Sequence, residues 1–140
     1  MKGETSAIEC LFHDYVGTAD DIDELGHVNN TVWVRWIQDL ATRHWELAAN
    51  PQDRALFYWV VTRHEIDYRG NIALGETVTG ETWIEGEPKG ATSLRRVDFR
   101  NASGRVIVSA ATTWAMLDRA TNRLVRVRPS VLASFRKSAS

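Results

Sequence analysis

The longest periodic stretch of the chain covers about residues 30–49, where apolar side chains return every three or four positions. That spacing predicts an amphipathic α-helix with one apolar side. An amide at Asn29 or Asn30 can cap its start by accepting a hydrogen bond from an orphan backbone N–H. The pair Asn50-Pro51 predicts its end, because a residue before proline avoids the helical region. The apolar positions are Val32, Trp33, Trp36, Ile37, Leu40, Ala41, His44, Leu47 and Ala48.

Alternation of apolar and polar residues, which is typical of strands, occurs in five other segments. They are residues 7–17, 57–69, 76–85, 91–100 and 105–117. Unbroken alternation in the second segment would place one set of side chains on a common face: Tyr58, Val60, Thr62, His64, Ile66 and Tyr68. A short helix over residues 129–137 should follow the last strand, because Pro129 suits a first helical position.

The predicted order is one strand, one long helix and four strands at hairpin spacing. Consecutive strands favour an antiparallel sheet, and a single apolar helix is enough to cover one face of it. The sequence therefore predicts an α+β fold in a single domain, residues 1–140, with a core of about residues 7–136. Apolar residues on the opposite face of the sheet predict contact with a second subunit.

The charge balance narrows the choice of partners. A formal net charge of −1 gives no overall positive field, so a nucleic-acid partner is not expected. Arginines are nevertheless frequent in the second half of the chain, and two interpretations stay open. They form a solvated strand face, or they bind an anion such as the phosphates of coenzyme A (CoA). The candidates for phosphate contacts are Arg95, Arg96, Arg126 and Arg128.

Cysteine and histidine usage argues against several other classes. Cys10 is the single cysteine, which excludes an internal disulfide and a four-cysteine zinc site. The histidines lack compact metal-ligand spacing, so neither a metal nor a cofactor is expected. We see no apolar leader at the start and no apolar run of membrane-spanning length. A cytoplasmic location without a membrane partner is therefore the expectation.

The most informative segment joins an acidic loop to the predicted helix and reads DELGHVNNTVWVRW, residues 23–36. A helix N-terminus presents free N–H groups and partial positive charge, which suit a carbonyl oxygen as it becomes an oxyanion. A carboxylate just upstream, such as Asp23, can attack a thioester or activate a water beside it. The apolar helix and sheet would then line an acyl pocket. This arrangement suits hydrolysis without a serine, cysteine or metal.

The segment resembles the active-site region of the hotdog-fold thioesterases. The 4-hydroxybenzoyl-CoA thioesterase-like acyl-CoA hydrolases and the acyl-carrier-protein (ACP) thioesterases are the similar groups. The matching motif is Asp-x-x-Gly-His-Val-Asn-Asn at residues 23–30, before an aromatic-rich helix. A second match is IDYRG at 66–70 with LGE at 74–76. The resemblance implies a hotdog sheet around one long helix, with acyl-CoA or acyl-ACP hydrolysis in a homodimer or homotetramer.

Carried over by residue, the resemblance makes Asp23 the catalytic carboxylate, either as nucleophile or as general base. His27 matches the histidine that ACP thioesterases use, and the backbone N–H near Asn30 would be the oxyanion donor. Two positions depart from the ACP group, which has Asn in place of Leu25 and Glu near Asn71. A mechanism with one carboxylate therefore fits better. The substrate contacts expected besides the four arginines are Gly26, Asn29, Trp33 and Tyr68.

Two alternatives use the same fold. A hydratase or dehydratase acting on acyl thioesters needs a paired histidine and carboxylate, which His27 and Asp23 could supply. The other alternative is a pocket that binds acyl-CoA without cleaving it, because a fold alone does not determine function. Release of free thiol from acyl-CoA distinguishes hydrolysis from both.

Overall fold

The computed structural model describes residues 9–136, in which five strands form one antiparallel sheet around a long helix. This confirms the predicted α+β arrangement. The elements in chain order are β1 (Cys10–Val16), α1 (Asn30–Ala48), α2 (Pro51–Leu56), β2 (Phe57–Tyr68), β3 (Thr77–Lys89), β4 (Thr92–Arg100), β5 (Val106–Asp118) and α3 (Pro129–Leu132). A 3₁₀ turn, Ala133–Phe135, follows α3.

Helix α1 packs its apolar side against the concave face of the sheet. Asn29 caps it, as predicted, because its side-chain oxygen accepts the Thr31 N–H at 2.9 Å. Ile37 and Leu40 are fully buried between helix and sheet. Gly80 on β3 allows the close approach, since a β-carbon there would lie 2.7 Å from Cδ1 of Leu40. The helix is therefore fixed in depth by a residue with no side chain.

The core has two parts along α1. The larger part surrounds the first half of the helix and includes Trp33, Trp36 and Phe99. Rings of Trp33 and Phe99 meet edge to face with centroids 5.0 Å apart, an arrangement that aromatic pairs prefer. The smaller part, which includes Met116 and Phe135, gathers where α3 covers the other end of the sheet.

The strand order is β1-β3-β4-β5-β2. Strand β2 therefore pairs with β5 at one edge and not with β3, its successor in the chain. The prediction of hairpins between all four later strands is wrong at this point, although the pairings themselves are antiparallel, as expected. The first half of α1, the end of β2 and the start of β3 lie near one end of the sheet.

A β-bulge in β2 overturns the predicted face assignment. Val61 pairs with Trp114, and Arg63 pairs with its neighbour Thr113, so Thr62 has no partner in β5. An extra residue of this kind reverses the alternation beyond it. Phe57, Trp59 and Val61 consequently share the concave face with His64, Ile66 and Tyr68. The single six-residue face expected from unbroken alternation is wrong.

The outer face of the sheet carries both polar and apolar side chains. Arg96 pairs with Glu85 at 3.2 Å, and Ser109 donates a hydrogen bond to Asp98 at 2.9 Å. Apolar side chains are scattered on this face, and Phe12 is the most exposed large hydrophobic residue among them, at 59%. The apolar residues expected on this face are therefore present among polar ones, and their contact with a second subunit stays a prediction.

Element boundaries differ from the sequence-based ones in three places. Helix α1 ends at Ala48, as the Asn50-Pro51 pair indicated, but Pro51 also begins α2, which was missed. Strand β3 continues through Pro88 to Lys89. Helix α3 is shorter than the predicted helix, whose last residue lies outside the described residues, as do residues 7 and 8 of the first predicted strand.

Candidate active site

The loop before α1 closes on itself through short backbone contacts. Ile22 and Val28 form an isolated antiparallel bridge across its base. Inside it, the Asp23 N–H donates to the carbonyl of His27 at 2.8 Å, and the Gly26 N–H donates to the carbonyl of Asp23 at 3.0 Å. Gly26 has φ 82°, a conformation that side chains disfavour. The loop is thus a defined turn, with glycine where the backbone requires it.

The Asp23 carboxylate is oriented by this turn through one oxygen. Its Oδ1 accepts the backbone N–H of Leu25 at 2.9 Å and that of His27 at 3.2 Å. Its Oδ2 makes no hydrogen bond with any residue in the range 9–136. The side chain is half-buried. One oxygen therefore positions the group while the other remains available to a substrate or a water molecule.

Helix α1 starts at Asn30, seven residues after Asp23. Asn29 uses its side-chain oxygen to accept the N–H and the hydroxyl of Thr31, each at 2.9 Å. The backbone N–H of Asn30 is not hydrogen-bonded to any described residue. It belongs to the first turn of a 19-residue helix, where backbone N–H groups carry partial positive charge. The loop therefore brings a carboxylate and a free backbone donor to one region.

Asp21 connects this loop to α1 through contacts with Arg35 and Asn29. It is buried, and its carboxylate accepts hydrogen bonds from Thr18 and forms an ion pair with Arg35 at 2.9 Å. Burial opposes its ionisation, but the hydrogen bonds from Thr18 and Arg35 outweigh this and hold the pKa of the carboxyl below its ordinary value. The carbonyl of Asp21 also accepts the Asn29 N–H at 2.9 Å.

Asn71 fixes the same loop from the end of β2, a role that the sequence did not indicate. Its side-chain oxygen accepts the N–H of Val28 at 3.1 Å and that of Ile72 at 2.8 Å. Its amide nitrogen donates to the carbonyl of Val28 at 3.1 Å. Such a contact across 43 positions leaves no local signal in the chain. The resemblance had marked Asn71 only as a departure.

His27 stands apart from the carboxylate that it was expected to assist. Its side chain is exposed, and its ring makes no hydrogen bond with a described residue, Asp23 included. The loop uses the backbone of His27 instead, as donor to Asp23 and as acceptor from it. A hydratase needs a histidine and a carboxylate that move two protons together, and this geometry does not pair them.

The predicted substrate contacts separate into two groups. Gly26 and Asn29 belong to the loop and the helix cap described above. Tyr68 is 42% exposed at the end of β2, near the loop, and burial raises the pKa of its phenol. Trp33 instead lies wholly in the core, with its indole N–H unpaired within residues 9–136.

The four arginines proposed for phosphate contacts do not lie together. Arg95 is 6% exposed on the concave face, so its assignment as a surface phosphate ligand is wrong. Arg96 points the other way and pairs with Glu85. Arg126 and Arg128 are exposed. They flank Val127, whose backbone N–H donates a hydrogen bond to the carbonyl of Gly90 in the β3–β4 turn. That turn lies at the opposite end of the sheet from Asp23.

Residues 9–136 hold no group of three or more His, Cys, Asp or Glu side chains arranged for a metal ion. Within the same residues, α1 is the longest helix, and no helix combines the length and hydropathy required to span a bilayer.

The fold can be compared with those of known proteins. The fold is that of the hotdog thioesterases. An acyl-ACP thioesterase from Bacteroides thetaiotaomicron superposes with a TM-score of 0.78 at 17% identity, over 94% of this chain and 55% of that one. A Staphylococcus aureus protein solved in complex with CoA gives a TM-score of 0.78 at 12% identity, over 94% and 85% of the two chains.

The sequence itself matches the acyl-ACP thioesterase N-terminal domain over residues 12–135. The chain therefore belongs to that family. A chloroplastic acyl-(acyl-carrier-protein) hydrolase from Cuphea viscosissima is 29% identical over 73 residues, which are 52% of this chain and 18% of that protein. The matched region is thus about a fifth of that relative, and the chain spans about half of the Bacteroides enzyme.

Proposed function

We propose that this protein hydrolyses acyl thioesters carried by CoA or ACP, with Asp23 as the catalytic carboxylate. The observation that carries the proposal is the state of the Asp23 side chain. Oδ1 is held by two backbone N–H groups, Oδ2 has no partner among the described residues, and the loop that carries both oxygens leads directly into α1. Family membership and the carriers named for the two solved relatives support the substrate class.

The reaction adds water across the carbon–sulfur bond. In one route, Oδ2 attacks the carbonyl carbon, the thiolate leaves to become the free thiol, and water then cleaves the acyl–aspartyl anhydride. In the other, Oδ2 takes a proton from a water that attacks the same carbon. In both, the N–H of Asn30 would stabilise the oxyanion, and the products are a carboxylic acid and a thiol.

The test is thiol release from a panel of acyl-CoA and acyl-ACP substrates of graded acyl length. We expect Asp23→Asn to lower turnover by about 10²–10⁴ while the protein stays folded. Glu24→Gln is the matched control, because Glu24 is the adjacent exposed acid and makes no side-chain hydrogen bond with a described residue. Near-native turnover in folded Asp23→Asn, or an equal loss in Glu24→Gln, would remove Asp23 from the mechanism.

Isotope labelling separates the two routes. In single-turnover hydrolysis in ¹⁸O-water with enzyme in excess, a nucleophilic Asp23 acquires ¹⁸O in its carboxylate when water opens the anhydride at the aspartyl carbon. A general base, like an anhydride opened at the acyl carbon, leaves the label in the product acid alone, so ¹⁸O in Asp23 is the outcome that assigns the nucleophilic route. Mass spectrometry of the peptide that contains Asp23 distinguishes these outcomes.

The proposed working unit is a homodimer or homotetramer joined through the edge strand β2. This edge is unpaired in the described chain, and it carries the exposed apolar side chains Val60 and Tyr68 at 39% and 42% exposure. Unpaired edges with apolar side chains favour pairing with another strand. We expect sedimentation to give the mass of two or four chains. A fully active species with the mass of one chain would contradict this assembly.

Three assignments remain predictions. Arg126 and Arg128 are exposed and Arg96 is half-buried. Neutralising all three should raise KM more than it lowers kcat if they contact the phosphates of CoA. An unchanged KM would show that these arginines do not contact the phosphates. The organisation of residues 1–140 as one domain and the cytoplasmic location also stay predictions.

A further inference from the structure

One side chain binds both of the peptide groups that join the Asp23 turn to the start of α1. The peptide between His27 and Val28 and the peptide between Val28 and Asn29 follow each other in this loop. Asn71 accepts the N–H of the first peptide at 3.1 Å and donates to the carbonyl oxygen of the second at 3.1 Å. Its amide therefore holds two successive peptide planes from a distant part of the chain.

The first of these peptides belongs to the hydrogen bonds that orient the carboxylate. Its carbonyl, that of His27, accepts the Asp23 N–H at 2.8 Å. Because a peptide group is planar, the direction of this carbonyl is fixed once the N–H of Val28 is bound to Asn71. His27 also donates its own N–H to Oδ1 of Asp23 at 3.2 Å. The orientation of Asp23 therefore depends on Asn71, with which its side chain makes no hydrogen bond.

The second peptide belongs to the cap of the helix. Its N–H, that of Asn29, donates to the carbonyl of Asp21 at 2.9 Å, and its carbonyl, that of Val28, is the one that Asn71 binds. Asn29 is the N-cap of α1, and the next peptide along the chain carries the N–H of Asn30. The direction in which this backbone donor points therefore also depends on Asn71.

This arrangement uses both the acceptor and the donor of the amide. Oδ1 accepts the N–H of Val28 and that of Ile72, the latter at 2.8 Å, while Nδ2 donates to Val28. Two N–H groups that need an acceptor and one carbonyl that needs a donor fix the orientation of the amide. A carboxylate has the same shape without the donor. Val28 is only 1% exposed, so water does not readily replace a donor that is lost.

We propose that Asn71 is a positioning residue for hydrolysis: it sets the geometry between the Asp23 carboxylate and the N–H of Asn30, and it needs both halves of its amide to do so. The inference rests on the proposed function, in which Asp23 is the catalytic carboxylate. Asn71 acts through the backbone of Val28 and not on the substrate. A displacement of about 1 Å between reacting groups is enough to cost about 10²-fold in rate.

Asn71→Asp tests the proposal, because it keeps the shape and the acceptor and removes the donor. At pH 7 we expect kcat to fall about 10–10²-fold with KM nearly unchanged, since geometry is lost and substrate affinity is not. A protonated carboxyl regains one O–H donor. Because its charged form would face the carbonyl of Val28, the pKa of the introduced carboxyl should lie above its ordinary value of about 3.9. Activity relative to the wild type should therefore recover as pH falls.

The measurement is kcat per folded molecule, with the value for the variant divided by that for the wild type at each pH between about 7 and about 4. The titratable groups of the neighbouring loops, Asp23, His27 and Glu76, are common to both proteins, so their titration cancels in the ratio. The ratio should rise towards one at low pH. A folded variant with near-native kcat at pH 7, or a ratio that does not change with pH, would overturn the proposal.

Asn101→Asp is the matched control. Oδ1 of Asn101 accepts the N–H groups of Ser103 and Arg105 at 3.1 and 3.0 Å in the β4–β5 turn, and its Nδ2 makes no hydrogen bond with a described residue. Because only the acceptor is used there, Asn101→Asp should keep the wild-type kcat at every pH. A loss equal to that in Asn71→Asp would contradict a specific role for Asn71.

Asn71→Ala removes both halves of the amide without adding a charge, and it carries the test if Asn71→Asp does not fold at pH 7. Its kcat should fall at least as far and should not recover at low pH; near-native kcat in the folded variant would overturn the proposal.

A double variant separates this inference from the proposed function. If Asn71 acts through Asp23, Asn71→Asp should reduce turnover less in the Asp23→Asn background than in the wild type. Losses that multiply in full would show that Asn71 does not act through this carboxylate. Near-native turnover in Asp23→Asn alone would instead refute the proposed function, and that result needs no change at Asn71.

Discussion

Gly80→Ala tests whether the depth of α1 on the sheet is set by the missing side chain at this position. The added β-carbon would lie 2.7 Å from Cδ1 of Leu40 and 3.0 Å from Cε1 of Phe99. Carbon atoms prefer about 3.5–4.0 Å. Leu40 and Phe99 are both fully buried, so neither can swing into solvent to make room.

Two effects of opposite sign decide the result. Replacing glycine within a strand removes backbone freedom from the unfolded chain, which favours folding by about 0.5–1 kcal/mol. Overpacking a filled core costs about 1–3 kcal/mol. The overlap with Leu40 and Phe99 makes the second effect larger, so we expect a net loss of about 1–2 kcal/mol and a fall in Tm of roughly 3–8 °C.

Chemical denaturation of a double-mutant cycle with Leu40→Ala provides the control. Truncating Leu40 alone should cost about 2–5 kcal/mol. In that background Gly80→Ala should cost less than it does in the wild-type protein, because its nearest contact has been removed. Additive losses, or a Tm that rises in the single variant, would show that Gly80 does not set the distance between helix and sheet.

Three other variants test the loop. His27→Ala should reduce turnover by less than Asp23→Asn, because its ring makes no hydrogen bond with the carboxylate; an equal loss in kcat would contradict this order. Gly26→Ala should lower kcat, because it strains the turn that orients Asp23, and should lower Tm by roughly 3–8 °C, since a side chain at φ 82° costs about 1–2 kcal/mol. Asp21→Asn should destabilise the protein at pH 7, because the pKa of Asp21 is lower in the folded protein than in the unfolded chain and its charge therefore stabilises the fold above the unfolded pKa. The difference in stability between the variant and the wild type should shrink as pH falls below about 4, where the native carboxyl becomes protonated and this stabilisation is lost. A difference that is constant with pH would show that the Asp21 charge is unimportant.

The helices and strands could largely be predicted because the spacing of apolar residues, helix capping and alternation depend on residues that are close together in the sequence. The spacing of apolar residues defined α1 to within one residue at its end, and a cap at Asn29 or Asn30 was foreseen from side-chain chemistry alone. Alternation likewise located the five strands. The bulge at Thr62 was not predictable, because it depends on how β2 pairs with β5 and not on the composition of β2.

The site divides in the same way. Asp23, His27 and Asn30 could be proposed from the sequence because they lie within one short segment with a recognisable motif. Asn71 was missed because its contacts with Val28 depend on the tertiary fold. Arg95 was misassigned for a related reason: on a strand, the faces of Arg95 and Arg96 follow from register, and charge alone suggested that both were exposed.

The placement of β2 has a consequence for the order of folding. Tyr68 pairs with Val108 and Phe57 with Asp118, so docking this strand requires the chain to close a loop that contains all of β3 and β4. Closure of long loops is entropically costly, and local hairpins form first. The β3–β4–β5 meander should therefore assemble before β2 reaches its edge. Asn71, at the end of β2, can hold the loop of Asp23 only after that step, so catalytic competence should return later in refolding than most of the sheet.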